Sequence, residues 1–518
     1  MAGVVILPEE LFGKLKKNIL PQWKVCFWSA IIVGLIAHLY KIVNWLPNWD
    51  SLVFRYDAQN MVSMGRWFLP VASAPSSFYD LPWITGLLAI LFHALGAVCI
   101  CKMFDVKKNT TALLIGTAVV SFPTVTSVML YNYVADSYAL SFLLACLAAL
   151  FTTSEKPKFV LAAILIALSV GIYQAYITVA IMLLLCFLIR EVLFKGEKIK
   201  TLLIKALKFL LTGAAGMVLY YVVLLVLLKV TGTELLEYQG FDNAATFSNL
   251  DILGSLYIIK DSFVSYFFDF SNGLNVFTVV NIIIFVSTSL LYLFEIIKNK
   301  FNVSKFLVLC VGAVLLPIGA NVLVFLNSSL DYHNLMKMGF FIFYLFFILE
   351  YENLNYKTEN LNKLKSWFIL IVTAVLIFNQ VIIANISYHK ITIAYEKSYG
   401  TLIRLADRIE QTKGANECDS ILVLGHLEGS EAYSSNISLD MTGTTDEYIL
   451  RADDEIVGQS VLTSALNDYC GKDYKFVSGK EKTALLKKID ADSLNNWPEK
   501  DSVFVTDDVI VIKLGDER

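Results

Sequence analysis

Residues 156–208 read KPKFVLAAILIALSVGIYQAYITVAIMLLLCFLIREVLFKGEKIKTLLIKALK, and the number of times they cross a bilayer decides the fold of the whole chain. The apolar part, 158–193, exceeds the roughly 17 to 25 residues that one transmembrane helix needs. It also contains Gly171 beside the polar cluster Tyr173-Gln174-Ala175-Tyr176. Lys156 and Lys158 precede it, while Arg190, Lys195, Lys198, Lys200, Lys205 and Lys208 close or follow it. Lysine and arginine concentrate in cytoplasmic loops, so both ends belong on the cytoplasmic side. The stretch therefore reads as two short helices that meet near Gly171 at the outer face.

Working outward, further runs long enough to span occur at 24–43, 82–101, 110–130, 134–153, 203–229, 275–297, 303–326, 334–351 and 366–386. With the two short helices they make eleven spans, N-terminus inside and C-terminal segment outside. The other loops agree. Inner loops hold Lys102, Lys107 and Lys108, then Lys298, Lys300 and Lys305, then Lys357, Lys363 and Lys365; outer loops hold little beyond Arg55, Arg66 and Lys260. A single crossing at 158–193 would reverse every later loop against this bias.

Composition fits this reading. Of 518 residues, 57% are hydrophobic and only 17% charged, well below the roughly 25% charged share of soluble domains, and mean hydropathy is +0.63. The net charge of −3 comes with no basic stripe, which leaves nucleic-acid binding without support. Lys14, Lys16 and Lys17 precede an apolar run at 25–42 that is too long for a signal-peptide core and lacks a small-residue cleavage site, so it reads as a retained first span. Six of the eight cysteines sit in or beside apolar runs. Cys418 and Cys470 share the polar C-terminal segment, where an extracytoplasmic location would permit a disulfide.

The expected fold is mostly α: a polytopic transmembrane bundle at 24–386 after a cytoplasmic segment at 1–23, followed by a small extracytoplasmic α/β domain at 387–518. That domain opens with a helix at 394–412 and carries strand-like runs at 421–424, 503–505 and 509–511. Three outer segments, 44–81, 230–274 and the C-terminal part, are long for transmembrane connections, so chemistry is expected there.

The first outer loop sets Asp50, Asp57 and Arg66 among Trp45, Trp49, Tyr56 and Trp67. Transfer of a sugar from a lipid phosphate needs a base for the acceptor hydroxyl, cations for the departing phosphate, and aromatic faces for sugar or lipid, and this loop offers all three. The structural alternative makes the aspartates turn or cap residues and Arg66 an interfacial anchor. Asp136, at the start of the fourth span, either faces the same outer cavity or is held by the helix dipole. Tyr173, Gln174 and Tyr176 form either a substrate-binding cavity wall or a tight turn. His333 and Lys337 stand where they could meet a lipid phosphate, though Lys337 could equally snorkel to the interface. The acidic residues of 230–274 read mostly as a solvated face. No metal-ligand spacing, phosphate-cradling glycine loop or nucleophile elbow occurs, so zinc hydrolysis, P-loop ATP use and serine-hydrolase chemistry have no support; no cofactor is expected, and a divalent metal is left open without a motif to support it.

Asn44-Trp45-Leu46-Pro47-Asn48-Trp49-Asp50-Ser51, Gly65-Arg66-Trp67-Phe68-Leu69, Asp80-Leu81-Pro82-Trp83, Ser121-Phe122-Pro123-Thr124 and Gly171-Ile172-Tyr173-Gln174-Ala175-Tyr176, in this order and at outer helix ends, resemble the bacterial GtrII-type glucosyltransferase family. The resemblance implies a GT-C-like fold in the bacterial cell membrane, a polyprenyl-phosphate sugar donor, commonly glucose, and an envelope polysaccharide such as O-antigen as acceptor. It implies an acidic catalytic base in the first outer loop, a role that falls on Asp50, with Asp57 or Asp136 in support. Arg66, His333 and Lys337 would then bind the donor phosphate, and Trp49, Trp67, Tyr173, Gln174 and Tyr176 the substrates. An outer site also requires a separate donor-synthesising enzyme and a flippase. The rivals are a transporter or flippase of lipid-linked sugars and a polysaccharide polymerase or ligase. A transporter should show repeats and midplane charges, which this sequence does not.

Overall fold

The computed structural model describes residues 19–48, 50–51, 61–77, 79–236, 251–271, 273–299, 303–326, 330–353, 358–425, 441–443, 464–468, 471–489 and 494–515, with residues 7, 9–10, 13, 427 and 462 besides. Eight helices among them are long and apolar enough to cross a membrane. A bent pair would make a ninth, and two shorter apolar helices, Phe159–Ile172 and Asn334–Leu349, accompany them.

Helix α1 (Pro21–Val43) is followed by a short α2 (Leu69–Ser73) and then by α3 (Pro82–Met103). Proline opens α1 and α3, where its missing N–H costs nothing. Helices α4 (Asn109–Ser121) and α5 (Pro123–Leu130) are bent by 40°, because Pro123 forces Phe122 out of helical geometry, to φ −58° and ψ 137°. Next come α6 (Ala135–Thr153), α7 (Phe159–Ile172), α8 (Ile177–Arg190) and α9 (Ile199–Thr231).

Helices α7 and α8 are separated by Tyr173 in extended conformation and a 3-10 turn over Gln174–Tyr176. The Ser141 and Ser169 hydroxyls, 3.0 Å apart, join the start of α6 to the end of α7, whereas Arg190 at the end of α8 lies 4.0 Å from Glu350 at the other end of the bundle. The stretch 158–193 thus traverses the bundle twice.

Helix α10 (Ile252–Phe267) is capped by Asp251, whose carboxylate accepts from Gly254 N at 2.9 Å. The segment read as an outer loop therefore contains a helix whose Ile259, Tyr266 and Phe267 are buried, while Asp251 and Asp261 stay exposed as expected. Helices α11 (Val276–Lys298), α12 (Val303–Ala320) and α13 (Val322–Leu326) lead to a 3-10 turn, Asn334–Phe340, and α14 (Phe341–Leu349).

Helix α15 (Glu359–Gln411) has 53 residues, a length of about 80 Å against a hydrocarbon core of about 30 Å. It runs unbroken through residue 387, so the membrane-length segment and the expected C-terminal helix are one rod. Strands β1 (Ser420–Leu424), β2 (Lys475–Phe476), β3 (Val503–Thr506) and β4 (Val509–Lys513) form a sheet ordered β2-β1-β4-β3, with α16 (Gly479–Leu486) after β2. The β3–β4 pair turns on Asp507 and Asp508, both at positive φ, as a two-residue hairpin requires. Arg408 of α15 donates to the carbonyls of Glu499 and Lys500 at 3.1 and 3.0 Å, tying rod to sheet.

Lysine-bearing turns gather at the end opposite Gly171. Lys108 donates to the Tyr351 carbonyl at 2.6 Å, Lys205 to Glu191 at 2.6 Å, and the buried Lys365 to the fully buried Glu350 at 2.7 Å. Cys418 is buried and free; Cys470 lies outside the described residues.

Candidate active site

The bundle end marked by the α7–α8 break collects the returning part of the first loop, the start of α6 and the 3-10 turn before α14. Gly65 adopts φ +74°, and Arg66 N donates to Met61 O at 2.6 Å, closing a tight turn. The turn is fastened from the break: Phe68 N donates to Gly171 O at 2.8 Å, Gln174 Nε2 to Met64 O at 2.9 Å, and Tyr220 of α9 to Gly65 O at 3.0 Å. A Cβ on Gly171 would stand 2.8 Å from the Trp67 ring, so only glycine admits this contact.

That clamp aims Arg66. Its Nη1 donates to Tyr138 Oη at 3.3 Å, and its guanidinium lies 5.1 Å from the Tyr173 ring centroid. Tyr138 and Tyr173 stack beneath it, 4.4 Å apart. Tyr133 lies within electrostatic reach of Asp50, Arg66 and Tyr138.

Asp50 sits in a helical turn whose start is capped by Asn48, with Oδ1 accepting from Ser51 N at 2.9 Å. Burial pushes the Asp50 carboxyl up to about 6, and the Arg66 guanidinium pulls it back down. The chain before Asp50 is held by Asp80, which accepts from Trp45 Nε1 at 3.0 Å and from Asn132, and by the buried Lys41, which donates to Leu46 O at 2.7 Å.

His333 and Lys337 join this group from the far side. Burial holds the His333 imidazole down to about 4, with Lys337 and Arg66 pushing the same way and Asp331 opposing. The ring is neutral at pH 7, and its buried Nδ1 has no hydrogen-bond partner among the described residues. The Lys337 ammonium is 5.6 Å from the Tyr266 ring centroid, 5.9 Å from Tyr332 and 6.0 Å from Phe340, and the Asp331 and Asp261 carboxylates act on it electrostatically.

The structure thus brings Asp50, Arg66, His333 and Lys337 together. Asp136 faces elsewhere, into hydroxyls: its Oδ1 accepts from Ser137 N at 2.8 Å, and the Ser76 hydroxyl bonds to the same carboxyl. Gln174 is part of the clamp. Trp67 stacks on Tyr220 in an apolar cluster with Val170 and Leu224, and Tyr176 is 1% exposed, its ring edge-on to Tyr173. Trp49 and Asp57 lie outside the described residues. Tyr138, Tyr266 and Asp331 belong to the group as well; Tyr138 lies two residues after Asp136 and Asp331 two before His333, while Tyr266 has no local signal. Among the described residues, no three His, Cys, Asp or Glu side chains could hold a metal ion.

Residues 39–350 match the family model Glucosyl transferase GtrII. The chain belongs to the GtrII glucosyltransferase family. The match begins inside α1 and ends at Glu350, so it contains the whole candidate site, and α15 with the β-sheet lies beyond it. GtrII membership and the apolar helices make this a membrane glycosyltransferase. No curated protein and no solved structure matches the chain.

Proposed function

We propose that this GtrII protein transfers glucose from a polyprenyl-phosphate donor to a hydroxyl of an envelope polysaccharide, O-antigen or a similar surface glycan, at the outer face of the bacterial cell membrane. The observation that carries the reading is the convergence of a partly buried carboxylate, Asp50, with Arg66, His333 and Lys337. Asp50 takes the proton of the acceptor hydroxyl; the acceptor oxygen attacks the sugar C1; the bond from C1 to the phosphate oxygen breaks, with inversion. Arg66 and Lys337 balance the charge on the departing lipid phosphate, and His333 offers a neutral N–H. A base with a pKa near 6 is ionised at neutral pH yet still accepts a proton.

In this reading the bundle is GT-C-like with eleven spans, the lysine-rich end is cytoplasmic, the C-terminal domain is extracytoplasmic, and a separate enzyme and flippase supply the donor. The clustering of lysines at one end supports the orientation. The test is to give purified protein synthetic β-linked polyprenyl-phosphate-glucose and an envelope glycan, then analyse the product. A single added α-linked glucose is expected; retention, chain extension or no transfer with active lipid and glycan would reject the reading.

A further inference from the structure

Ser121-Phe122-Pro123-Thr124 takes no part in the chemistry described above, yet it forms the bend between α4 and α5 and grips the turn that carries Lys337. The Thr124 hydroxyl donates at 2.9 Å to Asn334 O, at the start of the 3-10 turn. The fully buried Phe122 ring lies 6.0 Å from Phe341, just past the end of that turn, and 6.2 Å from Tyr266, the ring that faces the Lys337 ammonium. Lys337 stands between the two grips, at a kink with φ −91° and ψ 21°. In a straight helix residues 122 and 124 would point roughly 200° apart. The bend that Pro123 imposes is what sets both against one turn.

The bend is itself fastened from α1 and α15. The last carbonyls of α4 have no helical donors, and His38 of α1 supplies one: its Nε2 is 2.8 Å from Val120 O. A carbonyl only accepts, so Nε2 carries the proton, and Nδ1 accepts from the Tyr388 hydroxyl of α15 at 2.7 Å. Ser121 Oγ donates to Gln380 Oε1, also on α15, at 3.0 Å. All four side chains are buried, and a hydrocarbon core offers no water to replace these bonds. His38, Gln380 and Tyr388 lie outside the residues 39–350 that match the family.

We infer that Thr124 and Phe122 are positioning residues for Lys337, and so for the donor phosphate, and that His38, Tyr388 and Gln380 latch the bend that aims them. The inference rests on the phosphate site proposed above. It gives α15, which lies beyond the family match, a part in shaping that site.

The test uses full-length protein in nanodiscs, with a polyprenyl phosphate lacking sugar as the probe and the neutral polyprenol as its control. Thr124→Val removes the hydroxyl at nearly constant shape and should weaken binding of the phosphate about tenfold, the scale of one buried hydrogen bond, with polyprenol binding unchanged. Thr124→Ser should restore it. In a Lys337→Met background Thr124→Val should have no further effect, because it acts through that cation. Tyr388→Phe should show the same phosphate-selective loss, about threefold. With the glucosylated lipid these variants should raise donor KM and leave acceptor KM alone. Equal loss for polyprenol and its phosphate, a Thr124→Val loss that persists without Lys337, or failure of serine to rescue would overturn the inference; a Tyr388→Phe variant that binds like wild type would overturn the latch. Equal phosphate binding by wild type and Lys337→Met would remove the phosphate site and the inference with it. Phosphate-selective, Lys337-dependent losses without sugar transfer would instead uphold the positioning role and remove the proposed reaction.

Discussion

The Tyr138 and Tyr173 rings lie 4.4 Å apart and only 7° from parallel, with the Arg66 guanidinium bound to both. Tyr138 comes from α6 and Tyr173 from the α7–α8 break, so this stack joins two helices and carries the cation of the first loop. An arginine placed over one ring and hydrogen-bonded to the next is positioned as well as charged.

Arg66→Lys keeps the charge but loses the planar contact, and should lower turnover by about 10². Tyr138→Phe removes one hydrogen bond and keeps the stack; its cost should not exceed about tenfold. Initial rates with saturating donor distinguish these outcomes, and equal losses in the two variants would show that the Tyr138 hydroxyl matters as much as the shape of the guanidinium.

The Asp50 carboxyl, raised to about 6, sets the acid limb of the pH profile. Transfer should fall about tenfold per unit as pH drops below 6, because the protonated acid cannot act as base. The stability effect has the opposite sign: the native state holds this proton more tightly than the unfolded chain does, so this group's contribution to stability declines as pH rises from about 4 through 6. Asp50→Asn should abolish transfer and flatten that part of a thermal-stability profile measured in detergent.

Gln174→Leu leaves the Met64 carbonyl without its donor and should destabilise the first-loop turn by about 1–3 kcal/mol. Limited proteolysis should then cut within 61–68 faster than in wild type. An unchanged cleavage rate would mean that the turn is held without the clamp.

Lys365→Met strips the fully buried Glu350 of its 2.7 Å partner and leaves Arg190 at 4.0 Å. Breaking a buried pair on one side costs about 3–5 kcal/mol. The expected result is a clear drop in thermal midpoint with no change in KM, since the pair lies at the end opposite the site.

Much of this was legible in the sequence. Long apolar runs dictate the helices, and the lysines around 158–193 require the chain to double back there. The convergence of Asp50, Arg66, His333 and Lys337 followed from placing their loops at one end of the bundle. Helix α10 was hidden because its apolar face is too short to read as a span, and the continuity of α15 because a fall in hydropathy at 387 looks like a boundary. The Tyr138–Tyr173 stack and the Lys337–Tyr266 contact join residues distant in sequence, and such pairings leave no periodic trace. For Asp136 the sequence leaves two readings open, an outer cavity or the helix start, and the partners it has, Ser137 N and the Ser76 and Ser137 hydroxyls, are set by residues whose pairing with it has no sequence signal.

The central claim is that Asp50 is the base. The most direct measurement compares sugar transfer from polyprenyl-phosphate-glucose by wild type and Asp50→Asn, purified in nanodiscs and matched for folding by thermal midpoint. A loss of at least about 10² in turnover, with donor binding retained, is predicted. Near-normal transfer by the asparagine variant would contradict it.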